Sequence, residues 1–379
     1  MYNVKSSNLF HFLSIVTLLF GSLVVGIIFE IFNQLGNPVS PVVTIGTSQL
    51  LLVLGPVLIY FLVKKGFLKN SLYLKNPGLV NSLLAILLTF VLLPTVGLLN
   101  VISMFFVKNH IADALDTLTQ YPYILSLTVV AFFPGIFEEF STRFILLNNY
   151  RHKPYYIACI MSGLFFGIIH LNVNQFIYAF VLGTLFAFLI QITESVFTTI
   201  LMHIVLNATS LTSGYLMKGT PQVSAAPDWQ TLVALLGVNV ITIPIAIFII
   251  LFLIGYNGKK GILKLKPTSL ELTLGRKLPE YQPQSNTGMN PSNPPMVQNP
   301  WQPQYDSPEY YPAYPPEDDS PFMPNSEVNI SPSTYPDAEY AERYLAKSDS
   351  PFNWAFWSSV ILFLALTVLS EILPRLLPQ

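Results

Sequence analysis

The sequence predicts an all-α membrane protein: an eight-helix transmembrane bundle, then a disordered proline-rich segment, then one extra C-terminal transmembrane helix. Three observations predict this fold class. Of the 379 residues, 52% are hydrophobic and 10% are charged, whereas a soluble domain carries about 25% charged residues. Apolar runs long enough to cross about 30 Å of hydrocarbon recur along the chain. A long polar stretch separates the last of these runs from the others.

Each apolar run is interpreted as one span. The first run is too long for the apolar part of a cleavable signal peptide, about 7–15 residues, and no small-residue cleavage site follows it. Prolines and glycines interrupt several runs, which a helical bundle tolerates. The predicted spans are 9–32, 42–63, 79–107, 121–148, 155–171, 175–193, 196–217, 229–256 and 352–373. The resulting divisions are the N-terminal spans 1–120, the core 121–256, the proline-rich segment 257–351 and the C-terminal span 352–379.

Basic residues in the short loops predict the orientation. If the spans alternate, one side of the membrane receives Lys5, Lys64, Lys65, Lys69, Lys75, Arg151, Lys153, Lys259, Lys260, Lys264 and Lys266. We therefore predict a multi-pass protein of a bacterial plasma membrane, with the N-terminus and segment 257–351 in the cytoplasm. The net charge of −1 gives no indication of a nucleic-acid partner, and the single cysteine, Cys159, excludes an intrachain disulfide.

Segment 257–351 differs in composition from the rest of the chain. Seventeen of the 30 prolines lie between Pro267 and Pro351. Prolines disfavour helix and sheet, so the segment is predicted to be disordered with polyproline II character. Peptides such as PPMVQNPW and YYPAYPPEDD suggest docking to a cytoplasmic partner. The composition favours the alternative of a solvated spacer whose basic start lies against anionic lipid headgroups.

The stretch FPGIFEEFSTRF, residues 133–144, places three ionisable groups inside a predicted span. One charge at a helix centre costs about 2.5 kcal/mol or more, so such groups are usually paired or functional. Glu139 precedes Arg143 by four residues, the spacing of a helical ion pair. This pairing leaves Glu138 free to titrate or to bind. Taken alone, a buried Glu–Arg pair is as often purely structural.

Two histidines and an asparagine on later spans can join Glu138. The depth of each residue is counted from the cytoplasmic end of its span, at about 1.5 Å per residue. This depth is about 15 Å for Glu138, about 22 Å for His170, about 10 Å for His203 and about 16 Å for Asn207. Phe166 shares one helix face with His170, and His203 shares one with Asn207. We therefore predict that these groups meet in one polar cavity. The other histidines, His11, His110 and His152, lie near membrane edges or in a loop and are predicted to be surface or interfacial residues rather than ligands.

This set of side chains is most consistent with hydrolysis. A buried carboxylate can take a proton from water and return it to a leaving amine. Asn207, with His203, can donate hydrogen bonds to an oxyanion. Glu138, His170 and His203 are also a candidate ligand set for zinc. No HExxH and no GxSxG motif is present in the sequence.

The sequence is also compatible with two other functions. A non-catalytic membrane scaffold that regulates a partner, for example a sensor kinase, could use the same cavity and the proline-rich arm. A transporter or proton relay could use the buried Glu–His set, although the chain shows no inverted repeat of broken helices.

The ordered motifs Glu138-Glu139-x-x-x-Arg143, Phe166-x-x-x-His170 and His203-x-x-x-Asn207 resemble those of the CPBP family. This family comprises CAAX prenyl endopeptidases and bacteriocin-processing or abortive-infection membrane proteins. The resemblance covers roughly residues 121–215 and implies an intramembrane endopeptidase of eight-helix architecture. It also implies that Glu138 and His170 activate the attacking water while His203 and Asn207 stabilise the oxyanion.

The resemblance leaves open whether zinc takes part. It implies a membrane-bound protein or peptide as the substrate. A peptide pheromone, a bacteriocin or a membrane regulator is favoured here over a prenylated C-terminus. Thr142 and Phe144 flank Arg143 where many bacterial members have Phe and Gly. The proline-rich segment and the ninth span lie outside the shared region.

Overall fold

The structure is a computed structural model, and it consists mainly of long apolar helices. It describes residues 3–69, 71–107, 109, 111–151, 153–218, 228–259 and 350–372. The helices are α1 Val4–Gln34, α2 Pro41–Val63, α3 Gly78–Met104, α4 Ile111–Leu118, α5 Tyr123–Asn149, α6 Tyr155–Ile169, α7 Val173–Thr193, α8 Val196–Leu216, α9 Trp229–Tyr256 and α10 Trp354–Glu371.

The predicted all-α membrane fold is confirmed. Within the described residues, eight helices are long and apolar enough to cross a membrane, and the C-terminal helix α10 is one of them. These same residues form no β-strand. The chain is therefore a multi-pass integral membrane protein.

Helix α6 is shorter than the span predicted at 155–171. Its 15 residues extend about 22 Å, less than the hydrocarbon thickness of about 30 Å. The helix ends because Leu171 has a φ of 52°, in the left-handed region that a leucine rarely adopts. The turn places His170 at the C-terminal cap of α6, and Asn172 caps the start of α7.

Two of the predicted proline interruptions coincide with π-helical segments. Gln49–Leu54 lies just before Gly55 and Pro56 in α2, and Thr128–Phe132 lies just before Pro134 in α5. Proline has no N–H to donate, and a local shift to π geometry lets a membrane helix continue past it. A third π segment, Phe140–Ile145, directly follows the two glutamates. The carboxylates therefore lie on a short α-helical stretch, Phe133–Glu139, between two π segments.

Glycines allow close packing of the helices that carry the polar motifs. A Cβ on Gly135 of α5 would lie 2.5 Å from Cγ1 of Ile204 on α8. A Cβ on Gly163 of α6 would lie 2.6 Å from the carbonyl oxygen of Phe180 on α7. Small residues at membrane helix interfaces let the backbones approach in this way. The α5–α8 contact brings Glu138 and Glu139 next to His203.

The C-terminal helix packs against the bundle. Asn8 of α1 donates a hydrogen bond from Nδ2 to the carbonyl oxygen of Pro351, at 2.8 Å. Phe363 of α10 packs against Phe176 of α7, with the ring centroids 5.0 Å apart. Lys259, just after α9, pairs with Glu194. Contacts among the loops connect these sites, so residues 259 and 350 lie at the same end of the bundle. The predicted disordered segment lies almost entirely between them, at 260–349, outside the described residues.

Candidate active site

Glu139 lies at the centre of the polar cluster. Its side chain is fully buried. Its Oε1 forms an ion pair with Nη1 of Arg143 and accepts a hydrogen bond from Nδ1 of His203, both at 2.9 Å. The helical ion pair predicted from the spacing of Glu139 and Arg143 is therefore present. The contact with His203 gives Glu139 a second role, because it orients the imidazole.

Arg143 is also fully buried and is held by an aromatic ring. Its guanidinium carbon lies 3.6 Å from the centroid of Phe166. The same guanidinium donates from Nη1 to Oγ1 of Thr142 at 2.8 Å. Nε and Nη2 of Arg143 have no hydrogen-bond acceptor among the described residues. The face of Phe166 therefore provides the remaining stabilisation of the cation.

The three sequence motifs meet around Phe166. The ring of His170 lies 4.8 Å from the ring of Phe166, and the ring of His203 lies 5.7 Å from it. Both imidazoles meet the phenyl ring nearly at right angles, at 89° and 86°. Arg143 covers the face of this ring. The predicted convergence of spans four, five and seven is thus present in the structure.

Hydrogen bonds assign the proton positions on the two imidazoles. A carbonyl or carboxylate oxygen can only accept, so Nδ1 of each ring is the donor. Nδ1 of His170 donates to the carbonyl oxygen of Phe166 at 2.6 Å, and Nδ1 of His203 donates to Glu139. In the neutral form, each ring therefore has its lone pair on Nε2. Nε2 of His203 lies 4.0 Å from Oε2 of Glu138.

Asn207 lies one turn beyond His203 on α8. Its Nδ2 donates to the carbonyl oxygen of Val130 at 3.0 Å. Val130 belongs to the π segment Thr128–Phe132, where the regular α-helical bonding is interrupted. This bond uses one of the two amide hydrogens of Asn207 and fixes the side chain. The other hydrogen is left for a further acceptor.

Glu138 has a neighbour that the sequence reasoning missed. Nε2 of Gln49, on α2, donates to Oε1 of Glu138 at 3.4 Å. The sequence feature that could have indicated this contact is Gln49 itself, a single carboxamide in an apolar span, shortly before Gly55 and Pro56. It carried no prediction because Gln49 and Glu138 are 89 residues apart.

A metal site was an option for Glu138, His170 and His203. Among the described residues, no group of three His, Cys, Asp or Glu side chains is arranged to hold a metal ion. The amide of Gln49 and the guanidinium of Arg143 lie beside the two carboxylates instead. The observed arrangement does not fit the zinc site that these residues could form.

His11 was predicted to be a surface or interfacial residue, and this prediction is wrong. Its side chain is buried, its Nδ1 donates to the carbonyl oxygen of Ser7 at 2.7 Å, and its ring stacks on Phe165 at 4.6 Å. The N-terminal part of α1 packs against α6, so a residue near the end of a span is still interior. His110 and His152 lie outside the described residues.

Comparison with known proteins identifies the segment that carries this cluster. Residues 120–209 match the family model described as Type II CAAX prenyl endopeptidase Rce1-like. Comparisons with curated proteins and with solved structures gave no match. The matched segment contains Glu138, Glu139, His170, His203 and Asn207, in agreement with the CPBP resemblance of the motifs. Residues 120–209, about a quarter of this multi-pass membrane protein, are therefore similar to the Rce1-like domain.

Proposed function

We propose that this protein is an intramembrane endopeptidase that hydrolyses a peptide bond of a membrane-associated protein or peptide. The observation that carries the proposal is that His170 and His203 meet on the ring of Phe166, with Oε2 of Glu138 4.0 Å from Nε2 of His203. These residues lie in the segment that matches a protease family. The family match supports a CAAX-type protease, and the side-chain chemistry supports water as the nucleophile.

Glu138 and His170 activate the water in this proposal. The Glu138 carboxylate accepts a proton from water, while Nε2 of His170 accepts a hydrogen bond from the same water. The water oxygen then bonds to the carbonyl carbon of the scissile peptide. When the tetrahedral intermediate collapses, the C–N bond breaks and Glu138 returns the proton to the amine nitrogen. The second hydrogen of the water stays on the attacking oxygen, so the products are a carboxylic acid and an amine, which become carboxylate and ammonium when that proton moves to the amine.

His203 and Asn207 stabilise the oxyanion. Because Nδ1–H of His203 is bonded to Glu139, only the protonated ring has a hydrogen to donate from Nε2. The second amide hydrogen of Asn207 is the other donor. Preorganised donors of this kind typically contribute about 10²–10³-fold each.

Replacement of Glu138 and His170 tests the proposal. Membranes containing wild-type protein, Glu138→Gln or His170→Ala are incubated with an internally quenched prenylated CAAX peptide and with the same peptide without the lipid. Peptides released from cell membranes are compared in parallel by mass spectrometry. We expect cleavage by the wild type and at least about 10²-fold less by either variant.

A matched control separates chemistry from insertion. Glu30 is an exposed carboxylate on α1, far along the chain from the cluster, so Glu30→Gln should cleave as the wild type does. Full activity of both Glu138→Gln and His170→Ala would contradict the peptidase proposal. Cleavage of only the unprenylated peptide would assign a peptide rather than a lipidated C-terminus as the substrate class.

The orientation and the role of segment 257–351 belong to the same proposal. We place the N-terminus and this segment in the cytoplasm of a bacterial cell, on the strength of the basic loops. The bilayer is then the constant partner, and a cytoplasmic protein is the partner that a proline-rich segment would recruit. Replacing 267–349 with a Gly-Ser linker of equal length tests this. Unchanged cleavage together with a lost cellular phenotype would give the segment a separate scaffold function.

A further inference from the structure

A second polar side chain reaches the proposed base from outside the matched domain. Gln49 lies on α2, and its Nε2 donates to Oε1 of Glu138 at 3.4 Å. The orientation of the amide is defined, because the opposite one would set two acceptor oxygens against each other. The bond is long, as is common for catalytic hydrogen bonds before substrate binds.

The backbone of α2 presents Gln49 to this position. Gln49 is the first residue of the π segment Gln49–Leu54, which directly precedes Gly55 and Pro56. Single π turns inside α-helices recur at functional sites because they change the direction of a side chain. This segment packs against Phe133–Glu139, the stretch that carries both glutamates. The side chain of Gln49 thus faces Glu138.

The oxygen of the Gln49 carboxamide is also informative. Oε1 of Gln49 is buried and has no hydrogen-bond donor among the described residues. Burying an acceptor in this state is unfavourable unless a donor arrives. Among the described residues, the hydrogen bond from Nε2 of Gln49 to Glu138 is the side-chain contact that holds the carboxamide in this position.

We infer that Gln49 is a positioning residue of the proposed hydrolysis, an inference that rests on the proposed function. Its Nε2 holds Oε1 of Glu138, so that Oε2, the oxygen that faces Nε2 of His203, takes the proton. Gln49 acts on the rate of the chemical step and not on substrate affinity.

The test measures kcat and KM separately for Gln49→Leu and Gln49→Glu in purified protein. The substrate is the quenched prenylated CAAX peptide. If the wild-type protein does not cleave this peptide, the substrate is the membrane peptide whose cleavage was found by mass spectrometry. We expect kcat to fall about 10- to 100-fold in both variants with KM within about twofold of the wild-type value. Gln49→Glu keeps the shape but loses the donor to Glu138, so it should not rescue kcat.

Thr44→Val is the matched control on the same helix. Among the described residues, Oγ1 of Thr44 donates only to the carbonyl oxygen of Ser40, one turn away, so the kcat of Thr44→Val should equal that of the wild type. Thermal unfolding of all variants verifies that they remain folded. Wild-type kcat in Gln49→Leu, or a rise in KM with unchanged kcat, would overturn the inference. If Glu138→Gln is inactive in that case, the proposed function survives; if Glu138→Gln is fully active, both fail.

Discussion

Oε1 of Glu139 is shared by Nδ1 of His203 and Nη1 of Arg143, each at 2.9 Å. One buried carboxylate therefore neutralises a guanidinium on its own helix and orients an imidazole from α8. The sequence predicted Glu139 to be a structural partner of Arg143. In the structure, Glu139 also orients His203 so that its Nε2 faces Glu138. Four predictions follow the contacts from this centre outward.

Glu139→Gln should be strongly destabilising. It leaves the charge of Arg143 buried without its partner, and removal of one member of a buried ion pair costs about 3–5 kcal/mol. The single cysteine offers a direct measurement, because Cys159 is buried and a thiol-reactive fluorogenic dye can reach it only on unfolding. We expect a clearly lower midpoint of thermal unfolding for the variant.

Activity should fall in the same variant beyond the loss of folded protein. A neutral glutamine replaces the charge-assisted hydrogen bond to Nδ1 of His203 with a weaker one, so the imidazolium that donates to the oxyanion is held less firmly. The double variant Glu139→Gln/Arg143→Met removes both charges and should recover part of the stability but none of the activity. Equal recovery of both would show that Glu139 has no orienting role.

Gly135→Ala should separate α5 from α8. The new Cβ would lie 2.5 Å from Cγ1 of Ile204 and 3.2 Å from its backbone nitrogen, so the helices must move apart. Overpacking of this kind costs about 1–3 kcal/mol, and the shift should also lengthen the Glu139–His203 bond and reduce cleavage.

Gly237→Ala on α9 is the control for this substitution. No atom lies within 4 Å of its added Cβ, and alanine is the better helix former by about 1 kcal/mol. We expect an unchanged or raised unfolding midpoint for Gly237→Ala. A similar response of both glycine variants would mean that close α5–α8 packing does not support the site.

Glu194 should make stability depend on pH at the loop end of the bundle. Partial burial raises the pKa of its carboxyl, but the ammonium groups of Lys259 and Lys75 outweigh this and hold the pKa of Glu194 below its ordinary value. A carboxyl whose pKa is lowered by folding stabilises the protein above its unfolded pKa. The contribution is lost as the pH falls through the lower, folded value.

Glu194→Gln measures that contribution. The groups are partly exposed, so we expect about 0.2–1 kcal/mol and a midpoint of thermal unfolding lowered by about 1–3 °C at pH 7. The difference from the wild type should shrink as the pH falls through the lowered pKa of Glu194 and vanish once the carboxyl is protonated in both the folded and the unfolded state. A difference that is constant between pH 7 and acid pH would show that the two lysine pairs are not its origin.

Metal removal should leave the site intact. Because the described residues offer no three-ligand group, we expect purified protein to contain less than one equivalent of zinc, and His203→Ala to contain the same amount. Cleavage should continue after dialysis against a chelator. One equivalent of zinc in the wild type, lost in His203→Ala, would instead support the ligand set Glu138, His170 and His203.

The apolar runs and the helical spacings determined much of this protein by themselves. Membrane insertion follows from run length, and the Glu139–Arg143 pair follows from a spacing of four residues, because both depend on contacts within one helix. The order of the three motifs was enough to indicate the protease family. The burial of His11 was mispredicted because the position of a residue near the end of a span does not show which helices pack beside that residue.

Only the tertiary structure decided what Glu139 and Glu138 contact across helices. His203 and Gln49 lie 64 and 89 residues from these partners, and no periodicity connects them. Their positions depend on the close α5–α8 contact at Gly135, the π segments before Pro56 and Pro134, and the left-handed turn at Leu171 that ends α6 at His170. These are packing and backbone-geometry effects, which depend on the neighbouring helices and therefore cannot be read from the spacing of residues along one helix.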